Sequence, residues 1–114
     1  NTFKLNNIFF ETDSFNITSL STRSTLIEFS NYLKRNKNLV LLISGHTDNI
    51  GNKDDNQLLS ENRAQSVYTF LVENGISEDR LTYKGFGESY PISDNSTSVG
   101  RSKNRRTECT IINK

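Results

Sequence analysis

The stretch Gly45–Val67, GHTDNIGNKDDNQLLSENRAQSV, leaves a strand pattern and enters a helical one. Just upstream, LVLLIS (Leu39–Ser44) is a nearly continuous apolar run whose length suits a strand buried on both faces. Gly45 ends it, and the polar loop His46–Lys53 carries a second glycine at 51. A helix is expected from about Asp54 to Glu73. Asp54 and Asp55 suit its positive N-terminal end, and Asn74–Gly75 is a C-terminal stop. On this helix Leu59, Arg63, Val67 and Phe70 recur at i, i+4, i+8 and i+11, with Leu71 alongside, so a guanidinium falls within a core stripe. A buried arginine needs a partner, since breaking such a pair costs about 3–5 kcal/mol. The other reading is that Arg63 snorkels outward to a surface acid. Asp48 lies near the C-terminal end of the apolar strand, where ligands of open α/β sheets collect; the plainer reading is a loop Asp in an Asx-turn. If the helix packs beside this strand, Asp48 and Arg63 can approach each other.

Working outward, NNIFFET (Asn6–Thr12) reads as a first strand. A helix from about Ser19 to Asn36 follows, with Leu26, Phe29 and Leu33 on its buried face and Leu20 at its entry. RLTYKGFG (Arg80–Gly87) alternates Leu81, Tyr83 and Gly85 as a strand does. Glu88–Arg105 is polar and turn-rich, with room for one helical turn. RTECTIIN (Arg106–Asn113) closes the chain as a strand with Thr107, Cys109 and Ile111 on one face. The order βαβαβ–loop–β predicts an α+β fold, an α/β two-layer sandwich with helices packed on one face of a small mixed sheet. The β–α–β connections are expected to be right-handed.

The 114 residues fit a single domain, with its core at about residues 8–112. The absence of Met and the start at Asn1 lead to the expectation that it is the C-terminal part of a longer protein. No run approaches the roughly 20 apolar residues of a membrane helix. A net charge of +1 argues against a nucleic-acid binder. The single Cys109 allows no internal disulfide and fits a small buried apolar position. His46 is the single histidine, and the loop after Asp48 departs from a calcium loop, with Ile50 at position 3 and Lys53 at position 6. No G-x-S-x-G or H-E-x-x-H is present, so no catalytic residue, metal or cofactor is expected. GRSKNRR (Gly100–Arg106) is the one basic cluster, readable as a solvated turn or as an anion-binding segment.

Taken together these residues match a known pattern: GHTDNIG, then Asn56, Leu59, Ser60, Arg63, Ala64 and Val67, then GFGESYPISDN and GRSKNRR, preceded by FFETDS. From about Ile8 to Ile112 the chain resembles the OmpA-like peptidoglycan-binding domain of outer-membrane porins, peptidoglycan-associated lipoproteins and flagellar stator MotB proteins. The resemblance implies binding of the peptidoglycan stem peptide at its diaminopimelate residue. Asp48 would hold that residue's ammonium group and Arg63 its carboxylate. It further implies that Asn56 and Thr47 shape the pocket, that Thr12 and Asp13 supply backbone groups to the ligand's other end, and that Arg105 lines or braces it. Glu88 and Arg101 are expected to be structural. The implied role is a non-catalytic, periplasmic anchor tying an outer-membrane protein or lipoprotein of a Gram-negative bacterium to the wall, without being membrane-inserted itself. The alternative is an envelope protein-interaction or assembly module without wall binding, in which Asp48 and Arg63 form a structural ion pair. Two positions depart from the family pattern: Asp55 where an aromatic or apolar residue is common, and Phe15 where a smaller one is.

Overall fold

The computed structural model of the chain describes residues 4–10, 14–17 and 19–113. Its elements run β1 (Lys4–Phe9), α1 (Leu20–Arg35), β2 (Val40–Gly45), α2 (Lys53–Glu73), a 3-10 turn (Glu78–Arg80), β3 (Leu81–Gly85), α3 (Ser98–Asn104) and β4 (Arg106–Asn113). The strands form one sheet in the order β1-β4-β2-β3. β2 and β3 are parallel, while β4 is antiparallel to both its neighbours, β1 and β2. The sheet is therefore mixed, and the last strand of the chain sits inside it. Ile8, Leu41, Ile43, Cys109 and Ile111 meet Leu26, Phe29, Leu33, Val67, Phe70 and Leu71 of the two long helices in one apolar core. This is the expected α+β two-layer sandwich.

The capping chemistry fixes the helix ends. Asn52 accepts from the backbone N–H groups of Asp54 (2.7 Å) and Asp55 (3.3 Å), starting α2. Asp55 is exposed in that first turn, a place a carboxylate tolerates well. At the other end of α1, Arg80 donates from Nη2 to the carbonyls of Leu33 (2.9 Å) and Asn36 (2.8 Å) and from Nε to Leu39 (3.0 Å). One guanidinium thus satisfies carbonyls that a helix terminus leaves over, and ties the start of β3 to the end of α1.

Several boundaries differ from expectation. β1 occupies Lys4–Phe9 rather than Asn6–Thr12. Phe10 has already turned away, its N–H on the Arg105 carbonyl at 3.0 Å and its own carbonyl accepting Arg105 Nε at 3.0 Å. Glu11, Thr12 and Asp13 lie outside the described residues. In β3, Leu81 and Gly85 are buried but Tyr83 is exposed, because β3 is an edge strand and Tyr83 packs sideways on Tyr68 at 5.0 Å. Leu42 is only half-buried, so β2 is not covered equally on its two faces. The single helical turn expected in Glu88–Arg105 is a seven-residue helix, α3, capped by Thr97.

That segment is held by buried polar residues rather than by apolar ones. The Asn104 side chain accepts from the N–H groups of Ile92 (2.7 Å) and Ser93 (3.0 Å) and donates to Ser93 O (2.9 Å) and Asn95 Oδ1 (2.7 Å). Arg106 pairs with Glu108, two residues along the same face of β4, at 2.9 Å, and donates to the Tyr90 carbonyl at 2.9 Å. A hydropathy pattern sees only a polar loop here, although the loop lies against the sheet face opposite the helices.

The helix α2 rides unusually close to the ends of β2 and β3. A Cβ on Gly45 would overlap the Ser60 carbonyl, and one on Gly85 would overlap the Ser60 hydroxyl. We expect Gly45→Ala to destabilise the domain by about 3 kcal/mol through this overlap. Gly51→Ala meets nothing within 4 Å but must adopt φ +95°, and should cost about 1 kcal/mol. Urea denaturation of the two variants checks the contrast. Burial also pushes the Cys109 thiol up to about 12, above the 9.0 of a free thiol. The native state holds that proton more tightly than the unfolded chain. Its contribution to stability is therefore full below about pH 9 and is lost as pH rises toward 12. A thiol reagent at pH 8 should label Cys109 only at the rate of unfolding.

Candidate functional site

The site forms where β2 runs out. Beyond Gly45 the chain stays inside the protein: His46, Thr47 and Asp48 are all buried. Backbone bonds hold them, His46 N–H to the Arg106 carbonyl and Thr47 N–H to the Gly87 carbonyl, both 2.9 Å. His46 stacks on Phe86 with ring centroids 5.6 Å apart. The Thr47 hydroxyl donates to the Asp48 carbonyl at 2.8 Å. The loop is thus pinned before it reaches its acidic residue.

Asp48 makes the Asx-turn that was its plainer reading, and an ion pair besides. Its Oδ1 accepts from the Ile50 N–H at 3.0 Å, the Asx-turn geometry, and its Oδ2 takes Nη1 of Arg105 at 3.1 Å. Asp48 is 7% exposed, so the pair sits at the rim of the interior. Asn56, in the first turns of α2, reaches back to this loop. Its Nδ2 lies 3.1 Å from the Ile50 carbonyl, 3.1 Å from Glu88 Oε1 and 3.4 Å from the Asp48 carbonyl. Asn56 is therefore firmly placed even with Asp55 beside it.

Arg63 has no exposed surface. The core-stripe reading holds, and the snorkelling one does not. Its Nε donates to the Ser14 carbonyl at 2.8 Å, its Nη1 donates to the His46 carbonyl at 3.0 Å, and its guanidinium carbon lies 5.2 Å from the centre of the Phe10 ring. A direct Asp48–Arg63 pair was one expectation; the arginine on Asp48 is instead Arg105, which arrives from the C-terminal end of α3. Arg63 is instead taken up by the Ser14 carbonyl in the loop after β1 and the His46 carbonyl in the loop after β2.

Of the residues expected at the site, Thr47, Asp48, Asn56, Arg63 and Arg105 converge on the loop after β2. Thr12 and Asp13 lie outside the described residues. Glu88 belongs to the cluster through Asn56. Its place in the tail motif was visible in the sequence, but nothing there linked it to Asn56, 32 positions away. Phe15 is exposed and lines a groove with Arg23, Ser66 and Phe70 along the two long helices. Among the described residues, no group of three or more His, Cys, Asp or Glu could hold a metal ion.

Chemically the arrangement gathers a carboxylate and two guanidinium groups, with Asp48 and Arg105 at the rim and Arg63 fully buried. Each Asp48 oxygen already accepts one donor and has a further lone pair. An ammonium can be added at Asp48 without dismantling the loop, and a carboxylate suits the guanidinium fork of an arginine.

A family model described as OmpA family matches residues 9–105. The chain is 34% identical over 106 residues to the probable lipoprotein YiaD of Escherichia coli strain K12, covering 93% of this chain and 48% of that protein. It spans less than half the length of the curated relatives it matches. The fold is that of the peptidoglycan-associated lipoprotein from Burkholderia pseudomallei, with a TM-score of 0.87 at 24% identity, covering 91% of this chain and 87% of that one. It also superposes on the cell wall anchor of the T6SS from Pseudomonas aeruginosa, with a TM-score of 0.80 at 26% identity, over 99% of this chain and 81% of that one.

Replacing Arg63 by Met leaves the Ser14 and His46 carbonyls without their charged donor. The expected loss is about 3 kcal/mol, two charge-assisted hydrogen bonds' worth. Asp48→Asn keeps an oxygen for the Ile50 N–H and should lose about 1 kcal/mol or less. Paired urea titrations measure both.

Proposed function

Because the chain belongs to the OmpA family, we propose that it is a non-catalytic module that binds cell-wall peptidoglycan and anchors the protein carrying it to the wall. The observation that carries this reading is the buried frame at the end of β2: Asp48 at the rim of the interior, with Arg105 on it and Arg63 packed beneath. The ligand is the stem peptide, recognised at its diaminopimelate residue. Such a zwitterionic centre needs an acid and a guanidinium held at fixed separation, and the pinned loop and rigid helix supply that. Asp48 takes the ammonium group and Arg63 the carboxylate, the ligand displacing groups that cover the guanidinium in the empty site. Thr47 and Asn56 hold the loop in shape, Arg105 braces Asp48, and Thr12 and Asp13 contribute backbone groups to the ligand's far end. The similarity to a cell wall anchor supports the role, and that to a probable lipoprotein supports a place in the periplasm at the outer membrane of a Gram-negative bacterium.

Affinity for one stem peptide is modest in this scheme, since water competes for both charges at the rim. Many anchors on one polymeric wall compensate through effective concentration.

Titration of meso-diaminopimelate, then of a stem tripeptide, into isotope-labelled protein tests the reading. Amide shifts should cluster at Asp48–Gly51 and Asn56–Arg63, and should vanish in Asp48→Ala, a substitution away from the apolar core. Purified cell walls should retain the wild-type domain and not that variant. Absence of shifts at millimolar ligand, or equal wall retention by the folded variant, would overturn the anchor in favour of a protein-interaction module.

A further inference from the structure

The basic segment Gly100–Arg106 is not used up by the site above. Arg105 spends Nε on the Phe10 carbonyl and Nη1 on Asp48. Its second terminal nitrogen, Nη2, makes no hydrogen bond among the described residues. It borders a cleft of about 350 Å³ lined by Phe9, Phe10, Ser102, Lys103 and Arg105. Lys103 is exposed and makes no ion pair among the described residues. Arg101, its neighbour on α3, is instead engaged with the Asn95 carbonyl at 3.0 Å. Two cations therefore open onto one cleft whose described lining carries no acid. Phe9 adds a ring 49% exposed, a large apolar surface for a strand residue to leave uncovered.

We propose that this cleft is a second, anion-binding subsite. It takes the carboxylate that neighbours diaminopimelate along the stem peptide, with Lys103 and Arg105 Nη2 as donors and Phe9 as the apolar floor. The ligand's identity rests on the anchor reading; the preference for an anion rests on the cleft. Arg105 makes the two subsites contiguous, because the same guanidinium touches Asp48 on one side and lines the cleft on the other. A stem peptide held by its ammonium at Asp48 can place a carboxylate further along its chain against Nη2. The stem peptide carries such a group, since the glutamate joined to diaminopimelate is linked through its side-chain carboxyl and keeps its α-carboxylate. Amidation of that carboxylate removes the charge and leaves the shape nearly unchanged, so the subsite discriminates between two natural wall chemistries.

The experiment compares a stem tripeptide bearing the free glutamate α-carboxylate with the same peptide amidated there, by calorimetry and amide shifts, with free diaminopimelate alongside. The wild-type domain should bind the free acid about tenfold more tightly, the scale of one charge-assisted hydrogen bond, and should show shifts at Phe9, Ser102 and Lys103. In Lys103→Ala the affinity for the free acid should fall to that for the amide, and Lys103→Arg should restore the difference. Equal affinity of the wild type for the two tripeptides, or a preference undiminished in Lys103→Ala, overturns the subsite while diaminopimelate binding keeps the anchor standing. Failure of diaminopimelate and both peptides to bind overturns both.

Discussion

A guanidinium with no exposed surface sets the terms for the rest of this domain. Taking an arginine out of water costs several kcal/mol unless charge and geometry are both met. Among the described residues the chain meets them with groups far apart in sequence, the carbonyls of Ser14 and His46 and the ring of Phe10. Both carbonyls lie in loops, one after β1 and one after β2. The loops must therefore come to the helix, and the helix must come close to the strands. Gly45 and Gly85 permit that approach, because the Ser60 carbonyl fills the volume a side chain at Gly45 would need, and the Ser60 hydroxyl and Glu61 backbone nitrogen fill that at Gly85.

The buried stripe of α2 changes character along its length as a result. Asn56, Ser60 and Arg63 occupy it in the N-terminal half, while Val67, Phe70 and Leu71 occupy it in the C-terminal half. The apolar half packs with α1 against the sheet and supplies the hydrophobic stabilisation. The polar half contributes position. It fixes the loop after β2 through Asn56, and Gly87 through the Ser60 hydroxyl at 2.9 Å. A helix of 21 residues thus spans two environments.

This division explains what was legible in the sequence. The apolar half of α2, the stripe Leu26–Phe29–Leu33 of α1 and the alternation Thr107–Cys109–Ile111 of β4 all show the period of their element, and all are buried. Arg63 was conspicuous because it broke such a stripe. The partner of Asp48 was not legible, because Arg105 reaches it from 57 positions away, across a turn whose course is set by side-chain hydrogen bonds. The placement of β4 between β1 and β2 has the same origin. Periodicity identifies a strand but not its neighbours. The buried Asn104 and Arg106 went unseen for a related reason. A composition-based reading treats such residues as solvated, yet here they satisfy the backbone of the loop that covers them.

The pairing of Asp48 with Arg105 also bears on how tightly such a site can hold a ligand. An acid left bare at the rim of the interior would gain most from an incoming cation, but would carry a desolvation cost whenever the site is empty. With Arg105 in place that cost is already offset. An arriving ammonium then shares a carboxylate that is partly neutralised, so its net gain is smaller than that of an isolated pair. The arrangement exchanges affinity for preorganisation and reversibility. In the proposed binding mode, selectivity would come from the separation between the acid and the guanidinium groups. For the proposed wall anchor, many copies against one polymer would make weak contacts of this kind sufficient.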